Sequence, residues 1–277
     1  MTLSGTIVNV AVPDVMGAYG VGQDKAQFLQ TAFIATMTAS QLLNAWVIGR
    51  LGQRGAFTTV LTLFLIGGLI CGLSPDLDMI IFGRVLQGFA GGIVQPLVMV
   101  TLFQVFPPDR RGFAMGIYGM GLMLALGLGP VIGGITADVW VWRMIFWIPL
   151  PLIVVALLMG LFFMPTKRPE GPVKSFDFVG YGLLCIALFC LMSTIGNGQR
   201  IGWGSGLIVT QIVVGIIAGT GFVLSQFRAG SSLLDMSLLS NPRFASAIVI
   251  AFVFGAGNFA TTYAMPVFGQ LVQSYTP

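Results

Sequence analysis

Apolar side chains fall along this chain in long runs separated by short polar or charged interruptions. The runs lie near 3–22, 27–48, 56–74, 79–105, 112–136, 144–164, 178–197, 206–226 and 244–270. Each is close to the roughly 20 apolar residues that a helix needs to cross a hydrocarbon layer of about 30 Å. The pattern predicts an all-α integral membrane protein, a helical bundle with about nine transmembrane helices.

Composition makes that reading firmer. Of 277 residues 56% are hydrophobic and 8% charged, and the mean hydropathy is +0.94. A soluble domain carries about 25% charged residues because its surface must be wetted, so little of this chain is left for one. Histidine is absent, which removes Ser-His-Asp and Cys-His catalysis and every histidine-ligated metal. Cys71, Cys185 and Cys190 lie inside apolar runs without paired metal-ligand spacing and read as free buried thiols. No cofactor, metal site or enzymatic constellation is expected. The net charge of +4 is scattered singly or in pairs, which argues against a nucleic-acid partner and leaves the lipid bilayer as the first one.

The basic residues set an orientation. Arg50, Arg54, Arg110, Arg111, Lys167, Arg168, Lys174, Arg228 and Arg243 occupy alternate connections; Lys25, Arg143 and Arg200 occupy the other set. Cytoplasmic loops hold the excess of Lys and Arg, so the N-terminus is expected in the cytoplasm and the ninth span to end outside. The first run lacks a basic leader and a small-residue cleavage site and carries Asn9, Pro13 and Asp14. It reads as a first span missing its upstream turns, not as a signal peptide. The stretch 165–177, with three prolines and most of the local charge, is the expected linker dividing six spans from three.

Polar residues inside the spans are the candidate chemistry. A charge at membrane depth is costly, and helical stepping puts Arg84 on one face of the fourth span with Gln87, Gly88, Gly91 and Gln95. Gln27, Gln30, Thr31, Thr38, Gln41 and Asn44 fall roughly on one side of the second span, and Thr6, Asn9 and Pro13 on one side of the first. Asn258, Thr261 and Thr262 mark the ninth. Two readings stay open: stripes that together line a water-accessible pathway, or interhelical hydrogen-bond glue, with Arg84 paired to a backbone carbonyl or snorkelling. The fifth span carries Gly112, Gly116, Gly119, Gly121, Gly127, Gly129, Pro130, Gly133 and Gly134, a composition that serves close helix packing or a hinge.

Residues 6–13, 49–54, 81–92, 127–134 and 142–146, in that order along the chain, form motifs that resemble those of the major facilitator superfamily, specifically its fourteen-span drug:proton antiporters of the EmrB/QacA type. Thr6-Ile7-Val8-Asn9-Val10-Ala11-Val12-Pro13 is similar to the first-span signature, and Gly49-Arg50-Leu51-Gly52-Gln53-Arg54 to the basic loop between spans two and three. Ile81-Phe82-Gly83-Arg84-Val85-Leu86-Gln87-Gly88 is similar to the fourth-span arginine motif. Gly127-Leu128-Gly129-Pro130-Val131-Ile132-Gly133-Gly134, followed by Trp142-Arg143-Met144-Ile145-Phe146, is similar to the antiporter motif and its sequel. The loops Pro107-Pro108-Asp109-Arg110-Arg111-Gly112 and Phe176-Asp177-Phe178-Val179-Gly180 fit as well.

The resemblance implies two six-span halves rocking about a central site. It makes residues 1–164 the first half, 165–177 a cytoplasmic linker, 178–226 two inserted helices and 227–277 the start of the second half, so the chain looks like an N-terminal portion. It further implies a lipophilic small-molecule substrate, multidrug efflux by proton-coupled alternating access, an inner-membrane location and a periplasmic adaptor protein in Gram-negative envelopes. Arg84 is then expected to orient cavity water or substrate, Gly129, Pro130, Gly133 and Gly134 to control helix packing between states, and Arg50, Gly52 and Arg54 to latch the cytoplasmic side.

Three positions depart from the family pattern: Ser4 and Gly49 stand where aspartates are usual, and Pro149 where an asparagine is. All nine acidic residues fall in loops or at span ends, so the deep carboxylate that proton coupling requires is missing from this portion unless Asp14 reaches the pathway. Such a site is expected to disfavour cationic compounds. The alternative reading is a truncated or degenerate membrane protein that moves no substrate.

Overall fold

A computed structural model of the chain describes residues 1–139, 141–164, 166, 176–227, 233, 238 and 240–271; the side chains of Ala137, Asp138, Asn258, Phe259 and residues 261–271 lie outside that description. Every regular element among the described residues is helical: α1 (Thr2–Val10), α2 (Val12–Tyr19), α3 (Gln23–Ala26), α4 (Phe28–Ser40), a 3₁₀ turn (Gln41–Leu43), α5 (Asn44–Leu73), α6 (Leu77–Val105), α7 (Pro108–Val139), α8 (Met144–Trp147), α9 (Pro149–Phe163), α10 (Phe178–Ile201), α11 (Gly206–Gln226) and α12 (Pro242–Leu271).

Among the described residues, six helical segments are long and apolar enough to cross a membrane, against the nine expected along the whole chain. The difference has local causes. The first expected span is broken at Ala11, with Pro13 in the first turn of α2, so neither piece is long enough alone. The second and third expected spans run together as one 51-residue segment, Gln23–Leu73. At about 1.5 Å per residue a straight helix of that length would reach about 76 Å, more than twice the hydrocarbon thickness. It is not straight: Gly52, at φ 71° and ψ 170°, interrupts α5. Ile48, Ala56 and Leu97 share one buried cluster, which places the two arms of α5 side by side. The chain therefore turns at one glycine where the sequence suggests a loop of several residues, because only glycine takes that backbone conformation without strain. Of α12 (Pro242–Leu271), the stretch with described side chains, Pro242–Gly257, is an apolar helix.

Helix starts follow the side chains available to cap them. The Asp76 carboxylate accepts from the Met79 N–H at 2.8 Å, Asp177 from Gly180 N–H at 2.8 Å and the Ser205 hydroxyl from Ile208 N–H at 3.4 Å. Each satisfies a donor that a helix N-terminus leaves without an internal partner.

Small residues set the packing. α6 lies against both α4 and α5. A Cβ on Gly67 would lie 2.8 Å from Gly83 O, and one on Gly83 2.7 Å from Gly67 O, so α5 and α6 touch backbone to backbone. Gly88 and Gly92 meet the α4 backbone at Phe33 and Met37 in the same way. α9 packs on α5, α7 on α1, and α10 pairs with α11 and leans on α4. Helices in lipid gain little from hydrophobic burial against one another, so close backbone approach supplies the attraction. Their outward faces remain apolar, with Phe162, Phe163, Ile216 and Ile217 among the exposed residues, the surface a bilayer wets and water does not.

Candidate functional site

Arg84 is the largest fully buried side chain among the described residues, with 0% of its surface exposed. It projects from α6 into the junction with α1 and α4. Its Nε–H donates to Leu29 O at 3.1 Å; Nη1 donates to Ser4 O at 3.2 Å and to Gln87 Oε1 at 3.0 Å; Nη2 donates to Gln30 Oε1 at 3.3 Å. The Ser4 hydroxyl oxygen is 3.5 Å from Nη1, and the guanidinium carbon stands 4.0 Å from the centroid of the Phe33 ring. A planar guanidinium with five donors is the side chain suited to bind several acceptors at once in fixed directions. Arg84 uses that geometry to bind three helices at one point.

Every one of these acceptors is neutral. Among the described residues the one ion pair is Arg200 with Asp24, at 3.4 Å on the surface. Asp14, the carboxylate considered for this cavity, is exposed on α2. Gln87 is fully buried, and while its Oε1 accepts from Arg84, its Nε2 has no partner. The site therefore holds one positive charge and a surplus of donors. Gln30, the acceptor on Nη2, is half-buried where Ser4 and Gln87 are buried.

The other sequence candidates separate into distinct settings. Thr6 donates back to Leu3 O at 3.2 Å and rests against Gly129. Gly133 faces Ile7 and Val10 on α1, whereas a Cβ added at Gly134, or at Gly112, Gly116, Gly119, Gly121 or Gly127, would meet nothing within 4 Å. Only the pair four residues apart, Gly129 and Gly133, makes the close contact, and Pro130 is exposed within an α7 that continues through it. Asn9, Thr38 and Gln41 are exposed; Gln95 is half-buried; Gly88 is consumed in the α4 contact. Thr38 donates to Ile34 O at 2.9 Å. The Asn258 side chain lies outside the described residues. Arg50 stacks over the Trp46 ring at 5.2 Å, and Arg54 and Gly52 line a cleft of ≈ 320 Å³ with Leu51, Thr58 and Leu161.

Two groupings were not anticipated from the sequence. Arg143, which reads there as a loop cation and a member of the segment after the glycine motif, donates from Nη2 to Tyr19 Oη at 2.9 Å and to Ser74 O at 3.2 Å, and lies 4.5 Å over the Trp142 ring. It staples the ends of α2 and α5 to the start of α8. The signal was the adjacent Trp142-Arg143 pair at a span boundary, where aromatic rings and cations meet. The second grouping fastens α10 and the residues just before it to the start of α4 and of α5. Gln27 Nε2 donates to Asn197 Oδ1 at 3.3 Å, close to the Asp24–Arg200 pair. At the other end Trp46 packs against Phe176 and Phe178, with ring centroids 5.6 and 6.0 Å away.

Comparison with known proteins agrees with this architecture. The family model "Major Facilitator Superfamily" matches residues 1–277. Similar proteins include the Uncharacterized MFS-type transporter YhcA of Bacillus subtilis, 29% identical over 99% of this chain and 51% of its own length. Lincomycin resistance protein LmrB of Listeria monocytogenes is 29% identical over 96% of this chain and 56% of its own, and Multidrug export protein EmrB of Escherichia coli 28% over 99% and 54%. The chain thus spans about half the length of the curated relatives it matches. In fold it is similar to the POT family transporter PepTSo, with a TM-score of 0.53 at 14% identity over 80% of this chain and 50% of that one. An all-helical bundle with glycine-mediated helix contacts, a buried arginine on its fourth expected span and a family match from end to end lead to one conclusion: the chain belongs to the major facilitator superfamily.

Proposed function

We propose that this chain forms the first half of an exporter of amphipathic small molecules that works by alternating access. The observation that carries the reading is Arg84. A fully buried cation bonded to α1, α4 and its own α6 ties three helices of this half into one body, as rocking of one half against another requires, and places a polar centre inside an apolar bundle. Relatives named for lincomycin resistance, multidrug export and fatty acid resistance favour export of lipophilic compounds. In this reading residues 1–164 are the first six-helix half, 165–177 the cytoplasmic linker, 178–226 the inserted pair and 227–277 the start of the second half. The linker is named from the sequence, since residues 165 and 167–175 lie outside the described ones. The basic residues of alternate connections support a cytoplasmic N-terminus in the inner membrane. Proton coupling in the complete protein, and a periplasmic adaptor as for some relatives, belong to the same proposal.

The test is efflux of a fluorescent lipophilic compound from energised vesicles that carry the protein. The expected result is gradient-dependent efflux that Arg84→Ala abolishes while membrane insertion is unchanged. Insertion without efflux in the unsubstituted protein would replace this reading with a non-transporting membrane protein.

A further inference from the structure

The Arg84 site departs from the usual treatment of a buried charge. A guanidinium taken out of water is ordinarily paired with a carboxylate, because neutral acceptors recover only part of the lost hydration and leave its long-range field uncancelled. Here the acceptors are two backbone carbonyls, two glutamine side-chain oxygens and the Ser4 hydroxyl, and the side chain is 0% exposed. The carboxylates of Asp14, Asp24, Asp76, Asp78 and Asp109 all lie at helix ends or in loops, and the one ion pair among the described residues does not involve Arg84. The adjoining Gln87 Nε2 adds an unpartnered buried donor. Every feature of the site calls for negative charge and none supplies it.

Resting on the export reading above, we infer that Arg84 is the specificity-determining charge of this half: it selects lipophilic anions and repels lipophilic cations. Gln30 is the movable acceptor. It alone among the side chains bonded to Nη1 and Nη2 is half-exposed, and its 3.3 Å contact is longer than the 3.0 Å contact of Gln87. A carboxylate or sulfonate that displaces Gln30 Oε1 would reach Nη2 directly. An anion that stops short of contact still feels the charge: at about 8 Å through a medium of effective dielectric about 20, a unit charge changes binding by about 30-fold.

The test uses two hydrophobic ions of the same shape and opposite sign, tetraphenylborate and tetraphenylphosphonium, binding to the purified full chain in neutral detergent. The quantity read is the ratio of their dissociation constants, which cancels the general affinity of either ion for micelles when variants are compared. The expected result is an anion preference about 10³-fold greater than that of Gln30→Glu, about 30-fold from each ion in opposite directions, because that variant adds a compensating carboxylate at the same size on a half-buried side chain. Ser4→Asp, which puts a carboxylate beside Nη1, reduces the preference likewise, and Gln30→Met retains it. A ratio unchanged by Gln30→Glu and Ser4→Asp in folded protein overturns the inference. Selective anion binding without efflux in the vesicle assay sinks the export reading and leaves the charge assignment standing; efflux without charge discrimination does the reverse. Failure to bind either ion overturns both.

Discussion

Replacing Gly67 by alanine measures how tightly α5 and α6 are set by backbone contact. Two opposing contributions can be worked from the structure. Alanine is the better helix former by about 1 kcal/mol. Against that, the new Cβ would lie 2.8 Å from Gly83 O, 3.0 Å from Gln87 Cγ and 3.1 Å from Gln87 N, where ordinary contact begins near 3.4 Å. Two of those three atoms are backbone and cannot swing aside, so the helices must separate by about half an ångström along their whole contact. Overpacking of this kind costs about 1–3 kcal/mol, and a rigid neighbour puts the cost at the upper end. The net expectation is destabilisation by about 2 kcal/mol. Gly116→Ala supplies the control: the same change in the interior of α7, exposed, with nothing within 4 Å. There only the helix-propensity gain remains, up to about 1 kcal/mol of stabilisation. The assay is unfolding of the purified protein in mixed micelles by increasing sodium dodecyl sulfate, followed by tryptophan fluorescence. The two variants should shift the midpoint in opposite directions, separated by about 3 kcal/mol. Shifts of the same sign, or within about 0.5 kcal/mol of each other, would refute the claim that α5 and α6 meet backbone to backbone.

Gly52→Ala forces a residue with a Cβ into the φ 71°, ψ 170° turn and should cost about 1–3 kcal/mol in the same titration, whereas Gly55→Ala, in regular helix with only Leu51 Cβ nearby at 3.2 Å, should cost less. Arg84→Lys keeps the charge but offers a single ammonium to acceptors on three helices; a loss of about 2 kcal/mol in the unfolding midpoint is expected, and an unchanged midpoint would deny Arg84 its bridging role. The Gln27–Asn197 contact should show a coupling of about 0.6 kcal/mol in a double-mutant cycle with leucine at each position, the typical value for hydrogen bonds inside membranes.

The antiporter-type glycine motif illustrates how far sequence alone reaches. It identified a helix built for close approach, yet left bending and packing equally open and treated its glycines as a group. The fold uses two of them, Gly129 and Gly133, against α1, because residues four apart share a face while Gly127 and Gly134 turn away. The same holds for the polar stripe of the second expected span: Gln30 reaches Arg84 and Gln27 reaches Asn197, while Thr38 bonds its own helix and Gln41 is exposed.

What the sequence determined by itself is whatever depends on local or additive properties. Apolar run length dictated helices in a bilayer, the absent histidines removed whole classes of chemistry, and the motifs identified the family. Tertiary structure decided everything that depends on which distant residues meet. Ser4 lies eighty positions from Arg84, and only the crossing of α1 and α6 puts its carbonyl 3.2 Å from the guanidinium. Arg143, whose partners neither its loop position nor its motif names, joins Tyr19 and Ser74 across three elements. The one-residue turn at Gly52 has the same origin: glycine permits the positive φ, but the contact of Ile48 with Ala56 and Leu97 selects it. Hydrophobicity is a sum over residues and can be read along a chain, whereas the neutral cage around Arg84 is a property of three helices at once.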